Sequence, residues 1–210
     1  MILSSVPRHR IWLNRRRALT LGGGFFFSAC AGGLALDPAG EVIKVRGEAV
    51  AEAAGQRRQL GVREAVFVDD LVLTGEDARL AMRFGSGATL KLGASAKLRI
   101  DRYLARTSGE FELTEGAMLF DRPKNRSRME TIFRSVYGLM AVRGTRFFAG
   151  PSNGVFGVFV ARGEVSVLAG GKTVLLTAGL GTNIAKPDEK PTPPQRWRRE
   201  RVAAALRSVE

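Results

Sequence analysis

Few residues in this chain have the type or spacing that bond-making chemistry requires. The sequence holds one histidine, His9, and one cysteine, Cys30. His9 falls in an N-terminal segment read below as an export signal, so the mature chain is expected to keep no His-dependent triad, base or zinc site. Cys30 has no second cysteine with which to form a disulfide within the chain. Asp69-Asp70 is the carboxylate pair that could hold a divalent cation through oxygen ligands. Aspartate also opens turns by hydrogen-bonding its own backbone, and the turn reading is preferred here. Gly22-Gly23-Gly24 and Gly85-Ser86-Gly87 follow none of the phosphate-loop spacings and read as turn glycines. The expectation is a protein that is not an enzyme, with no cofactor and no metal. A carboxylate-based hydrolase is the remote alternative.

Binding chemistry has more to stand on. Arg83, Lys91, Lys97 and Arg99 occupy alternate positions of three successive strand signals. If those strands pair, the pleat places all four bases on one face, where they could meet an anionic envelope polymer such as an acidic glycan, or lipid headgroups. An ordinary wet face that keeps a sheet soluble explains the same pattern. No aromatic residues interleave with these bases, which argues against a specific nucleic-acid partner. Arg143-Gly144-Thr145 could be a ligand motif, although a chain corner suits it better.

The elements that must position these residues read as strands. Leu80, Met82 and Phe84 alternate with Ala81 and Arg83; Leu90 and Leu92 alternate with Thr89 and Lys91; Leu98 and Ile100 alternate with Lys97 and Arg99. Period-2 patterning of this kind marks sheet with one wet side, the antiparallel habit. Turn residues recur about every ten positions between residues 41 and 186, and no amphipathic helix of four turns interrupts them. The predicted class is all-β: an antiparallel-rich roll, sandwich or flattened β-helix with a short C-terminal α-helix. An apolar strand ending in Arg-Gly recurs at Val45-Arg46-Gly47, Val142-Arg143-Gly144 and Ala161-Arg162-Gly163. Glycine takes positive φ without steric cost, so these are candidate corners.

Both ends differ from the middle. The formal charge is +13, and residues 1–29 contain five arginines and no acid. Arg15-Arg16-Arg17 precedes an uncharged, glycine-containing run from Ala18 to Leu36. Residues 1–36 are therefore predicted to be an export signal resembling the twin-arginine type, which implies a periplasmic protein. A plain secretory signal and an uncleaved anchor are the alternatives. Phe27-Ser28-Ala29-Cys30 resembles a lipobox, which makes Cys30 a candidate lipidation site and allows lipid-anchored or peripheral membrane association. Residues 187–195 are Pro-rich and predicted to be a linker, and residues 196–209 a basic amphipathic helix. Trp197, Val202, Ala205 and Leu206 would line one side of that helix. Either they pack on the sheet, or the arginines recruit an acidic partner or a membrane surface.

Several motifs together resemble a known family. They are Val72-Leu73-Thr74-Gly75, Phe84-Gly85-Ser86-Gly87-Ala88-Thr89-Leu90, Val142-Arg143-Gly144-Thr145-Arg146-Phe147, Val160-Ala161-Arg162-Gly163-Glu164-Val165-Ser166-Val167 and Leu176-Thr177-Ala178-Gly179. In this order they look like the FecR domain, over residues 40–186. The resemblance implies an all-β periplasmic module used in signalling or as an envelope accessory, with an envelope protein or polymer as partner. It brings no catalytic residues, and it marks Arg143, Gly144, Thr145 and Gly163 as family-motif positions of structural character. Founding members of the family relay a receptor's state to a sigma factor through a cytoplasmic N-terminal domain. Only about fourteen residues precede the arginine cluster here, so that direct role is not carried over. A structural envelope accessory without a regulated ligand is the alternative function.

Overall fold

A computed structural model describes residues 37–85, 87–104, 108–123 and 130–210. The predicted export signal, Cys30 and Ser86 lie outside the described residues. Among the described residues there are sixteen strands and one helix: β1 (Gly40–Arg46), β2 (Ala49–Ala53), β3 (Gln56–Gln59), β4 (Ala65–Val66), β5 (Leu71–Thr74), β6 (Arg79–Phe84), β7 (Thr89–Leu92), β8 (Lys97–Leu104), β9 (Ser108–Glu115), β10 (Met118–Asp121), β11 (Glu130–Ser135), β12 (Gly138–Ser152), β13 (Val155–Ala169), β14 (Lys172–Thr177), β15 (Leu180–Ile184), β16 (Gln195–Arg196) and α1 (Arg199–Arg207). Among the described residues all ladders but one are antiparallel; β9 and β11 run parallel. The all-β class with a short C-terminal helix is what the period-2 pattern predicted.

The ladders form one sheet curled over itself into two layers. One layer runs β3-β2-β5-β8-β9-β11 and the other β4-β1-β6-β7-β10, and the 15-residue strands β12 and β13 belong to both. Gly138–Val142 of β12 pair with β11, and Leu139–Arg143 with the C-terminal half of β13. Arg146–Ala149 pair with β10, and the stretch from Arg146 onward with the first half of β13. β14 extends the β2 layer, and β15 with β16 extends the β1 layer.

The core lies between the layers and is built by alternation. Phe84 from the β1 layer meets Phe111 from the β2 layer edge-on at 5.2 Å. Phe133 stacks on Phe111 at 5.1 Å and receives the edges of Phe120 and Phe147 at 5.0 and 5.3 Å. Burial of these five rings and of Leu80, Met82, Leu90, Leu92, Leu98 and Ile100 supplies the main driving force for closing the sandwich, about 2 kcal/mol for each large side chain.

The Arg-Gly echoes are corners. Gly47, Gly144 and Gly163 all have positive φ, at 72°, 62° and 86°. Gly144 and Gly163 sit where β12 and β13 bend from one layer into the other. A Cβ on Gly163 would stand 2.7 Å from Thr145 Cγ2, so that corner needs glycine for space as well as for φ. Thr74 pins another corner: its buried hydroxyl donates to the Gly93 carbonyl at 2.7 Å and accepts the Ala96 N–H at 2.8 Å.

The C-terminal segment differs from expectation in two ways. The helix covers Arg199–Arg207, narrower than 196–209, because Gln195 and Arg196 pair with β15 as a strand. The Pro-rich stretch is fastened to the sheet: Pro191 is buried, and the Thr192 hydroxyl accepts the Asn183 N–H at 3.0 Å. Trp197 is buried, stacked on Phe159 at 5.3 Å, over Gly157 and Gly181, where a Cβ would collide with its indole. Leu119, Phe148, Phe159, Trp197, Ala205 and Val209 form a second apolar cluster on the outer face of the β1 layer. Among the described residues, no helix is long and apolar enough to cross a membrane.

Candidate binding surface

The four predicted bases do not share one face. Arg83 lies on β6 and Lys91 on β7, in the β1 layer; Lys97 and Arg99 lie on β8, in the β2 layer. β7 pairs with β6 and β10, while β8 pairs with β5 and β9. Alternation does turn each base toward solvent on its own strand. Residues 93–96, however, carry the chain between layers, so the wet faces of β7 and β8 point opposite ways. On the β2 layer the bases also sit among acids. Arg99 is 4.0 Å from both Asp101 and Glu112, and Arg134 donates to Glu110 at 2.8 Å. That bond holds the Arg134 guanidinium above its usual range. Partial burial, followed by repulsion from Glu112, pushes the Asp101 carboxyl up.

Asp70 makes the turn expected of it. It is 1% exposed, accepts the Phe67 N–H at 2.7 Å, and forms a short ion pair with Arg58. Arg58 also donates to the Ala65 carbonyl at 2.7 Å. Among the described residues, no group of three His, Cys, Asp or Glu side chains is placed to hold a metal.

The β1 layer holds an arrangement that the sequence did not reveal. The ladder register aligns Glu41, Arg83, Thr89, Asp121, Arg146 and Arg162 in one row across β1, β6, β7, β10, β12 and β13. A register shift between Arg146 and Phe147 brings Arg162 opposite Arg146. Two like charges facing each other are unfavourable unless an anion lies between them. Asp121 supplies it, at 3.2 Å from Arg146 Nη1 and 2.7 Å from Arg162 Nη2. Arg162 also donates to the Arg122 carbonyl at 2.7 Å. Glu210 bridges Lys91 at 3.3 Å and Arg146 at 3.5 Å, which ties the end of the C-terminal segment to the same row. Arg83 pairs with Glu41 at 3.4 Å.

Two clefts flank this row. One of about 190 Å³ is lined by Thr89, Lys91, Leu119, Asp121 and Arg146 beside α1. The other, of about 780 Å³, includes Glu41, Arg63, Arg83 and Phe84 at the open end of the layer. The next row of the face, Leu119-Phe148-Phe159-Gly181, is the one that Trp197 and α1 cover. Arg201 stacks on Trp197 at 3.6 Å and donates to Asn183 Oδ1 at 2.7 Å; burial lowers its pKa. Among the family-motif positions, Arg143 is exposed opposite Glu164, and Thr145 is fully buried with its carbonyl accepting the Arg122 N–H at 2.9 Å. A faint trace of the row existed in the sequence: each of the two later Arg-Gly corners carries arginines, and Asp121 closes the strand that pairs with one of them.

Known proteins place this architecture. The family described as FecR protein matches residues 70–166, from the entry of β5 into β13. Two crystal structures of a protein described as a candidate anti-sigma factor from Parabacteroides distasonis are similar in fold, each with a TM-score of 0.55 and 16% identity. The likeness covers 65% of this chain and 64% and 63% of those chains, so it spans just under two thirds of their length. No curated protein matches the chain. The motifs that bend and close the two layers thus fall largely within a stretch, residues 70–166, that is similar to the FecR protein family.

Proposed function

We propose that this protein is an exported binding and scaffolding module of the cell envelope that takes part in relaying a signal. The observation that carries the reading is the FecR match over residues 70–166, the same stretch that builds most of both layers. The fold likeness to a candidate anti-sigma factor supports a regulatory role in kind. The recognition surface in this reading is the charged row of the β1 layer around Arg83, Lys91 and Arg146. Its cations already have acids within 2.7 to 3.5 Å, and the signs alternate along part of the row. A polyanion would have to displace those acids, whereas an envelope protein presenting both signs in complementary order would not. Mixed charge therefore favours a protein partner, with charges that set register and encounter rate more than bulk affinity.

Transcript profiling after removal of the gene tests the relay. Loss of the protein should change a small, coherent set of transcripts, and reintroducing a chain with Arg83→Glu and Lys91→Glu should fail to restore them. Unchanged transcripts alongside altered envelope mechanics would replace this reading with that of a structural accessory.

A further inference from the structure

Four strands have a neighbour on one side only, among the described residues: β3, β4, β14 and β16. Three of them carry features that discourage further pairing. β3 is Gln56-Arg57-Arg58-Gln59, and β4 and β16 have two residues each. Charge and shortness are the usual protections of a sheet edge. β14 has neither. It runs six residues, Lys172 to Thr177, with no proline, no register shift and no charge after Lys172.

Among the described residues, the face beside this edge is largely apolar and carries exposed leucines. Leu175 is 55% exposed and continues a row through Ser166, Ala141 and Ile132 on β13, β12 and β11. In the next row Thr173 is followed by Leu168, 43% exposed, and Leu139. On the β1 layer the corresponding outer face is closed by Trp197 and α1. Glu210, next to that helix, reaches Lys91 and Arg146 on the same β1 layer.

We propose that β14 pairs antiparallel with β14 of a second copy of this chain, about a two-fold axis at Leu175, joining the β2 layers of two molecules into one sheet. Directly opposed residues of an antiparallel ladder point to the same face. Centring on Leu175 sets it against the partner's Leu175, Thr173 against the partner's Thr177, and Val174 against the partner's Leu176. Threonine and aliphatic pairs are favourable cross-strand neighbours. Lys172 falls opposite the partner's Ala178, beyond the strand, so no like charges meet. An isologous contact of this kind closes at two subunits. It is independent of the proposed relay function, because its test involves neither a second protein nor gene expression.

Sedimentation equilibrium of the full chain is the first measurement, expected to show a dimer at tens of micromolar. Leu175→Lys should raise the dimer dissociation constant at least about tenfold while leaving the melting temperature unchanged, since the side chain is mostly exposed. In a Cys30→Ser background, Leu175→Cys should give a disulfide-linked dimer on oxidation. Thr177→Cys should not, because four residues of rise, roughly 13 Å, separate it from its symmetry mate. A monomer at that concentration overturns the proposal. So does a dimer that ignores Leu175→Lys and resists trapping through Leu175→Cys, which would move self-association to residues 1–36 or another surface. A monomer whose β14 instead captures an extended strand of a different protein also overturns it.

Discussion

Gly163 and Gly144 show how one motif residue can matter for different reasons at two positions. Both require positive φ, but a Cβ on Gly163 meets Thr145 Cγ2 and the Gly144 carbonyl, while a Cβ on Gly144 meets nothing within 4 Å. Gly163→Ala is therefore expected to cost about 3 kcal/mol and Gly144→Ala about 1 kcal/mol, measured by urea denaturation. Equal costs would mean that backbone strain alone governs these corners. Asp101 offers a test of sign. Its pKa is raised in the folded state above 3.8, so between those two values the folded chain binds more protons than the unfolded one. Stability from this group is then lost as pH rises through that window. Asp101→Asn should gain in melting temperature relative to the parent on going from pH of about 3.5 to neutrality. No relative gain would show that Arg99 and Arg134 outweigh burial and Glu112.

At the scale of elements, the C-terminal segment acts as a clamp across the β1 layer. Its N-terminal end seats Trp197 over Gly157 and Gly181, and its far end packs Ser208 and Val209 over Gly93. Glycine at these three positions leaves the sheet flat enough for the segment to lie on it. Trp197→Ala should cost about 3 kcal/mol and expose Phe148 and Phe159, seen as increased binding of an apolar dye under native conditions. Gly181→Leu should do the same by pushing the indole off. Intact dye exclusion in both variants would mean that Val202, Ala205 and Leu206 hold the helix without the tryptophan. The basic residues of this segment were open to two readings in the sequence. Burial of Trp197 and the stacking of Arg201 on it give the packing reading for that side of the helix.

For the whole molecule, delivery decides where it works. Replacing Arg16 and Arg17 with lysine should leave the full-length chain in the cytoplasm if the twin-arginine route carries it; continued export would assign a plain secretory signal. Intact mass of the mature chain, with and without Cys30→Ser, reads lipidation directly as the loss of a diacylglycerol adduct. The charged row and the β14 edge lie on opposite layers, so a dimer through β14 would leave both rows free to meet partners. That arrangement predicts that Leu175→Lys and Arg83→Glu affect different measurements, self-association in one case and gene expression in the other.

The amino-acid order by itself determined which residues face the core. Leu80, Met82, Phe84, Leu90, Leu92, Leu98 and Ile100 alternate in the chain and are all buried, because a pleated strand turns successive side chains to opposite faces whatever its neighbours. It also determined the corners, since glycine after arginine at residues 47, 144 and 163 tolerates a backbone conformation that other residues resist. Only the tertiary structure decided which strands lie side by side. Arg83, Lys91, Lys97 and Arg99 are close in sequence but divide between two layers, because ladder partners come from distant segments and local alternation carries no record of them. For the same reason Asp121, Arg146, Arg162 and Glu210, spread over 90 residues, form one network. Register across a curled sheet is a property of the closed core, and it made a charged row out of residues that no spacing rule connects.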